Sequence, residues 1–259
     1  MMKKKYSTLF FSVAVLFSPL SSALETVEFQ YLSPTNPADR QAQSAIEESQ
    51  INQLFAELAN QYFPFSQRLT VQYGSEEGPL YDPDTHTIHI PYEFYQQALQ
   101  YFIGNNYQEK FGRSAQLGTI DTLLHTLLHE GGHAYIADRN IPILGKEEDA
   151  VDNFAAIMMI EYVEGGDDAA ISAADMFAFE SQQRPDYYDW GEYIDEHSFD
   201  LQRYFSTLCL VYGSDTEKHA ALLDEVEKDY LSERKQFCRY QFQTISHNWH
   251  RYLHHGDQE

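Results

Sequence analysis

Apolar positions at helical spacing dominate the chain. Over residues 45–62, Ile46, Ile51, Leu54, Phe55, Leu58 and Ala59 recur every three or four places until Pro64, which predicts one helix. Two stretches alternate instead, 68–73 and 85–90, separated by the turn-forming Gly74, Gly78, Pro79 and Asp82-Pro83-Asp84. Period-two alternation on either side of such a segment predicts two strands of a small antiparallel sheet. Pro91 closes the second strand, and 92–102 returns to helical spacing. Beyond Thr119 every periodic segment reads as helix: 119–137, 146–163, 168–182, 196–212, 217–231 and 234–253. The fold class is therefore α+β and mostly helical, with a mixed part over 24–118 and a helical body over 119–259. With no internal repeat and no long linker, a single domain is expected.

The one long apolar run without polar relief stands at the start. Lys3, Lys4 and Lys5 precede an apolar stretch over 6–17, and Ser21 and Ala23 then provide small residues for cleavage. This pattern predicts a secretory signal peptide over 1–23, with a mature chain from about Leu24, exported to the periplasm or beyond. Its apolar centre is too short for a membrane span. In an oxidising compartment the two cysteines, Cys209 and Cys238, are expected to pair.

Charge narrows the partners. Forty acidic residues against seventeen Lys plus Arg give −23, so phosphate backbones and anionic lipid surfaces are repelled. Nucleic acid is excluded as a partner on this ground, and a monomer is expected.

The chemistry centres on His129-Glu130-Gly131-Gly132-His133, an H-E-x-x-H pattern inside a predicted helix. Residues i and i+4 lie about 40° apart on a helix, so both imidazoles reach one ion while Glu130 points beside it. Two His with an open position suit Zn2+ and a carboxylate that takes a proton from water. Gly131 and Gly132 each cost the helix about 1 kcal/mol relative to Ala, which predicts a close approach by neighbouring backbone or ligand.

A second i, i+4 pair follows. Glu148 and Asp152 share a stripe with Ala155 amid Val151, Phe154, Ile157 and Met158, an expensive place for carboxylates unless they are paired or bound to metal. Glu148 is accordingly the expected third ligand, with Glu147 as its rival, and Asp152 the acceptor for a ligand histidine's spare N–H. His125 lies one turn before His129 and reads as a satisfied core histidine. His247, His250, His254 and His255 read as a solvated helix end.

These two segments resemble the thermolysin-like gluzincins, zinc metallopeptidases in which an H-E-x-x-H helix precedes a helix carrying E-x-x-x-D. More of the chain is similar to an exported bacterial "putative metallopeptidase" family. That likeness rests on His129-Glu-Gly-Gly-His-Ala, Ile141-Pro-Ile-Leu-Gly-Lys-Glu-Glu-Asp-Ala-Val-Asp-Asn-Phe-Ala, Asp195-Glu-His-Ser-Phe-Asp-Leu-Gln-Arg203 and Cys209-Leu-Val-Tyr-Gly-Ser-Asp215. The gluzincin likeness covers the site alone, and the spacing from His133 to Glu148 is shorter than in thermolysin.

The resemblance implies a zincin-like fold, a peptide or protein substrate and hydrolysis through Glu130. It also implies a later residue that stabilises the oxyanion: His197 first, with Arg203 and Tyr204 as alternatives. The 85–90 strand is the expected edge for an extended substrate. The rival function is an exported protein that holds zinc for stability and hydrolyses nothing, which a closed four-ligand site would favour.

Overall fold

The computed structural model describes residues 26–184, 187–224, 226 and 228–253. The expected signal peptide, residues 1–23, and the pair His254 and His255 lie outside the described residues. A short strand, β1 (Val27–Tyr31), leads into helices α1 (Pro37–Glu48) and α2 (Ile51–Tyr62). Strands β2 (Leu69–Tyr73), β3 (Leu80–Asp82) and β4 (Thr87–Ile90) follow, then α3 (Tyr92–Gly104) and the short α4 (Tyr107–Phe111). The remainder is helical: α5 (Ala115–Arg139), α6 (Glu147–Tyr162), α7 (Gly166–Ser181), a 3-10 turn (Trp190–Ile194), α8 (Asp200–Ser214) and α9 (Lys228–His250). The molecule is thus mostly helical, with a small mixed sheet in its N-terminal half. Among the described residues no helix is long and apolar enough to cross a membrane.

Several predicted boundaries move, each for a local reason. The helix expected over 45–62 breaks at Gln50, whose left-handed φ of 61° cannot continue a right-handed helix. The sheet order is β1-β2-β4-β3. The two strands read from the sequence, β2 and β4, pair parallel rather than antiparallel, with Tyr73 opposite Ile90. The antiparallel neighbour of β4 is β3, hidden in the turn-rich segment, with Leu80 opposite His89. That strand, not 87–90, forms the sheet edge. Residues 216–224 form turns rather than a helix, bonded three residues apart as in Leu222 N–H to His219 O at 2.9 Å.

The core fills the space between the sheet and α5. Leu69, Val71, Tyr73, Ile88 and Ile90 of the strands and Leu123, Leu124, Leu127 and Leu128 of α5 are all buried in one cluster with Phe55, Phe63 and Phe154. Helix α5 is therefore covered nearly all round, as its mixed leucine pattern requires. At the far end His250 is half-buried, its Nε2 2.8 Å from the Tyr162 hydroxyl. It ties α9 to α6, where the sequence suggested a solvated end.

Cys209 of α8 and Cys238 of α9 form the expected disulfide, closing 29 residues of chain. A cross-link of this loop length stabilises by about 2–4 kcal/mol, chiefly by restricting the unfolded chain. The paired replacement C209S/C238S should lose that much in urea unfolding, and reductant should then change nothing further. A variant as stable as the parent would mean that helix packing alone fixes α8 against α9.

Candidate metal centre

The site is built from the middle of α5 and the first turns of α6. His129 and Glu130 are 5% and 7% exposed, carried into the core by the leucines around them. The two glycines set how close the helices come. A Cβ on Gly132 would stand 3.0 Å from Phe154 Cδ1 and Val151 Cγ1 of α6, and one on Gly131 2.9 Å from Phe55 Cζ of α2. What approaches is side chain, not the backbone or ligand that the sequence suggested. Gly132→Ala should overpack this contact at a cost of about 1–3 kcal/mol, against about 1 kcal/mol returned by helix propensity. Denaturant unfolding reads the net loss, and an unchanged midpoint would show that α6 yields without strain.

Helix α6 opens with Glu147, Glu148 and Asp149, acids favoured at a helix N-terminus. Glu148 then faces both histidines. Its Oε2 lies 3.1 Å from His129 Nε2 and its Oε1 3.3 Å from His133 Nε2. The outer nitrogens are already engaged: His129 Nδ1 lies 2.8 Å from Asp152 Oδ1, and His133 Nδ1 2.8 Å from Glu147 Oε1. An Nδ1–H donated to a carboxylate fixes each ring and turns Nε2 inward. Asp152 is held in turn by Arg203, whose Nε and Nη2 donate at 2.7 and 2.8 Å.

One buried atom tests whether a cation fits. Glu148 Oε2 has no hydrogen bond among the described residues, although two imidazole nitrogens stand within 3.1 Å of it. The two ligand imidazoles and this carboxylate converge on a common point. One donor atom from each of His129, His133 and Glu148 falls within 4.8 Å of the others. Two imidazoles and a carboxylate so placed can hold a divalent transition metal.

Electrostatics follow from burial and the facing charges. Burial opposes a charge on His129, but the carboxylates of Asp152 and Glu148 outweigh it and raise the imidazole to about 9. Burial alone would push Glu148 up, yet the imidazoles of His129, His133 and His197 hold it far below the usual carboxylate range. Glu130 is raised, by burial first, with His129 and His133 pulling against it. Strand β3 packs against α5, so the edge strand meets the site.

The remaining candidates separate clearly. His197 reaches the centre, its Nε2 3.0 Å from Glu148 Oε2, with its side chain 42% exposed. It stands on a loop before α8 rather than on the predicted helix. Asp195 Oδ1 accepts its backbone N–H at 2.9 Å, an Asx turn that competes with helix, and Lys146 Nζ donates to its carbonyl. Arg203 donors are committed to Asp152, and its guanidinium lies 4.0 Å over the Phe177 ring, so it braces the centre instead of facing it. The Tyr204 ring packs with the Leu208 and Cys238 cluster on another face of α8.

Glu147 sits behind His133, on the side away from Glu148. His125 is buried beside Phe177, and its Nε2 lacks a hydrogen bond among the described residues. It is not the satisfied core histidine expected, and burial takes it down to about 4, leaving it neutral at pH 7. The role of Arg203 escaped the sequence reading. The signal was there in principle, since a buried Asp152 bonded to one imidazole still needs a cation.

Neither a curated protein nor a solved structure matches the chain. One family model does, over residues 31–253, which spans strands β2 to β4, both helices of the centre and the loop carrying His197. The chain accordingly belongs to the family described as "putative metallopeptidase".

Proposed function

We propose that this protein is an exported, zinc-dependent peptidase acting through His129, His133 and Glu148 as ligands and Glu130 as the proton-transferring group. The carrying observation is the inward convergence of two Nε2 atoms on the Glu148 carboxylate, each ring locked by a carboxylate on its other nitrogen. Zinc held there supplies a Lewis acid that polarises a peptide carbonyl and makes water a nucleophile near neutral pH.

The chain's own residues do the rest. Glu130, buried and raised above its ordinary range, accepts the proton of the attacking water and returns it to the leaving amine. His197 donates from Nε2 to the carbonyl oxygen as negative charge gathers on it. Asp152 and Glu147 keep the ligand rings in place. An extended peptide pairs with the open side of β3, whose other side is taken by β4. Export is supported by the N-terminal pattern and by the disulfide. Residues 24–259 act as one unit in this reading.

Elemental analysis of the purified protein, paired with a peptide-library digest before and after chelation, tests it. Stoichiometric zinc is expected, with cleavage that chelator abolishes and zinc restores. Bound zinc with no cleavage of any peptide would instead favour the purely structural metal, and absence of metal would end both readings.

A further inference from the structure

A cavity of about 530 Å³ opens on the α7 and α8 side of His197. Its walls include Tyr101, Glu180, Arg184, His197, Phe199 and Arg203. The same imidazole that lies 3.0 Å from Glu148 is thus a wall of this space. A peptide lying across the metal centre has a neighbouring side chain within reach of it.

Among the described residues, the charges lining the cavity are paired with one exception. Arg184 donates to Asp200 at 2.7 Å and to Glu192 at 2.9 Å. Arg203 is spent on Asp152. Glu180, half-buried on the cavity wall, has neither a side-chain hydrogen bond nor an ion pair among the described residues. Burial, with the Asp200 charge added, pushes it up to about 7 against the opposing pull of Arg203 and Arg184. A carboxylate withdrawn from water without a partner is unfavourable until a cation or donor meets it. Tyr101 and Phe199 offer aromatic wall to a methylene stem.

We propose that this cavity receives a Lys or Arg side chain of the peptide substrate, with Glu180 as its counter-ion. The assignment rests on the peptidase reading and names the substrate class of that site. The overall charge of −23 draws such peptides toward the molecule.

Binding, rather than turnover, tests it. Zinc-loaded Glu130→Gln protein is titrated with two N-acetylated, C-amidated hexapeptides, alike except for Lys or norleucine at one position, each position being tried in turn. At one position the Lys peptide should bind about tenfold tighter, and adding Glu180→Gln should bring that ratio to about one. Glu180→Asp, which keeps the charge but shortens its reach, should give an intermediate ratio. Glu180→Gln should also melt no lower than its parent at pH 8, because it removes a half-buried unpaired charge, and this checks that the variant is folded.

Equal affinities at every position, or a preference untouched by Glu180→Gln, overturn the assignment. So does a preference that appears only when the acetyl cap is removed. If the unmodified enzyme cleaves both peptides but Lys confers no advantage, this pocket assignment falls alone. If no peptide is bound or cleaved, the peptidase reading falls and this inference with it.

Discussion

In the proposed peptidase, Glu130→Gln should bind as much zinc as the parent and lose about 10²–10⁴-fold in kcat, the range expected when a positioned proton acceptor is removed. The replacement is nearly isosteric, so the buried site keeps its shape. None of the ligand contacts involves Glu130, since His129 and His133 are held by Asp152, Glu147 and Glu148. Metal stoichiometry and the melting profile should therefore match the parent while turnover disappears. A variant that still cleaves at the parental rate would remove Glu130 from the mechanism. One that loses its metal would show that the carboxylate has a structural part in the centre.

Arg203→Ala should destabilise the fold by about 3–5 kcal/mol, the cost of leaving a buried carboxylate without its cation. Both Asp152 oxygens accept from the guanidinium, and Oδ1 also faces His129 Nδ1. Burial pushes Asp152 up, and Arg203 with His129 overrides it, holding the carboxyl far below its usual range. Without the guanidinium that group takes a proton more readily, and the His129 ring loses its anchor. Zinc affinity should then fall by about 10–100-fold, as for other partners that orient a ligand. Arg203→Lys keeps the charge but not the two-point grip and should lie between. Urea unfolding and competition with a chromophoric chelator measure the two effects. Normal stability in Arg203→Ala would mean that water or a neighbouring cation replaces the guanidinium.

The parts of this molecule visible in its sequence are those that a single helix encodes. His129 and His133 share a stripe by helical geometry alone, and Glu148 with Asp152 stood out because carboxylates on an apolar face demand a reason. The disulfide was legible because only two cysteines exist to form it. What escaped depends on contacts across elements. Strand direction is decided by β3, three residues inserted between β2 and β4 in sequence but placed outside them in the sheet. The break at Gln50 follows from a backbone conformation that no periodicity reports. His197 reaches the centre from a loop, and Arg203 is chosen as the partner of Asp152 by the packing of α8 on α6. No local pattern distinguishes that arginine from its neighbours on the chain.

The carboxylate cage around His129 has a bearing on how such a protein comes to life. With the imidazole raised to about 9, its charged pairing with Asp152 and Glu148 contributes stability that is fully present below about pH 6.5 and fades as pH rises through 9. Near neutrality a proton can thus hold the place of the cation, and the fold need not wait for an ion before it closes. Under the proposed function, folding and metal loading would be separate events. In the proposed peptidase the supply of metal would then decide when activity begins, with protons released as the ion enters.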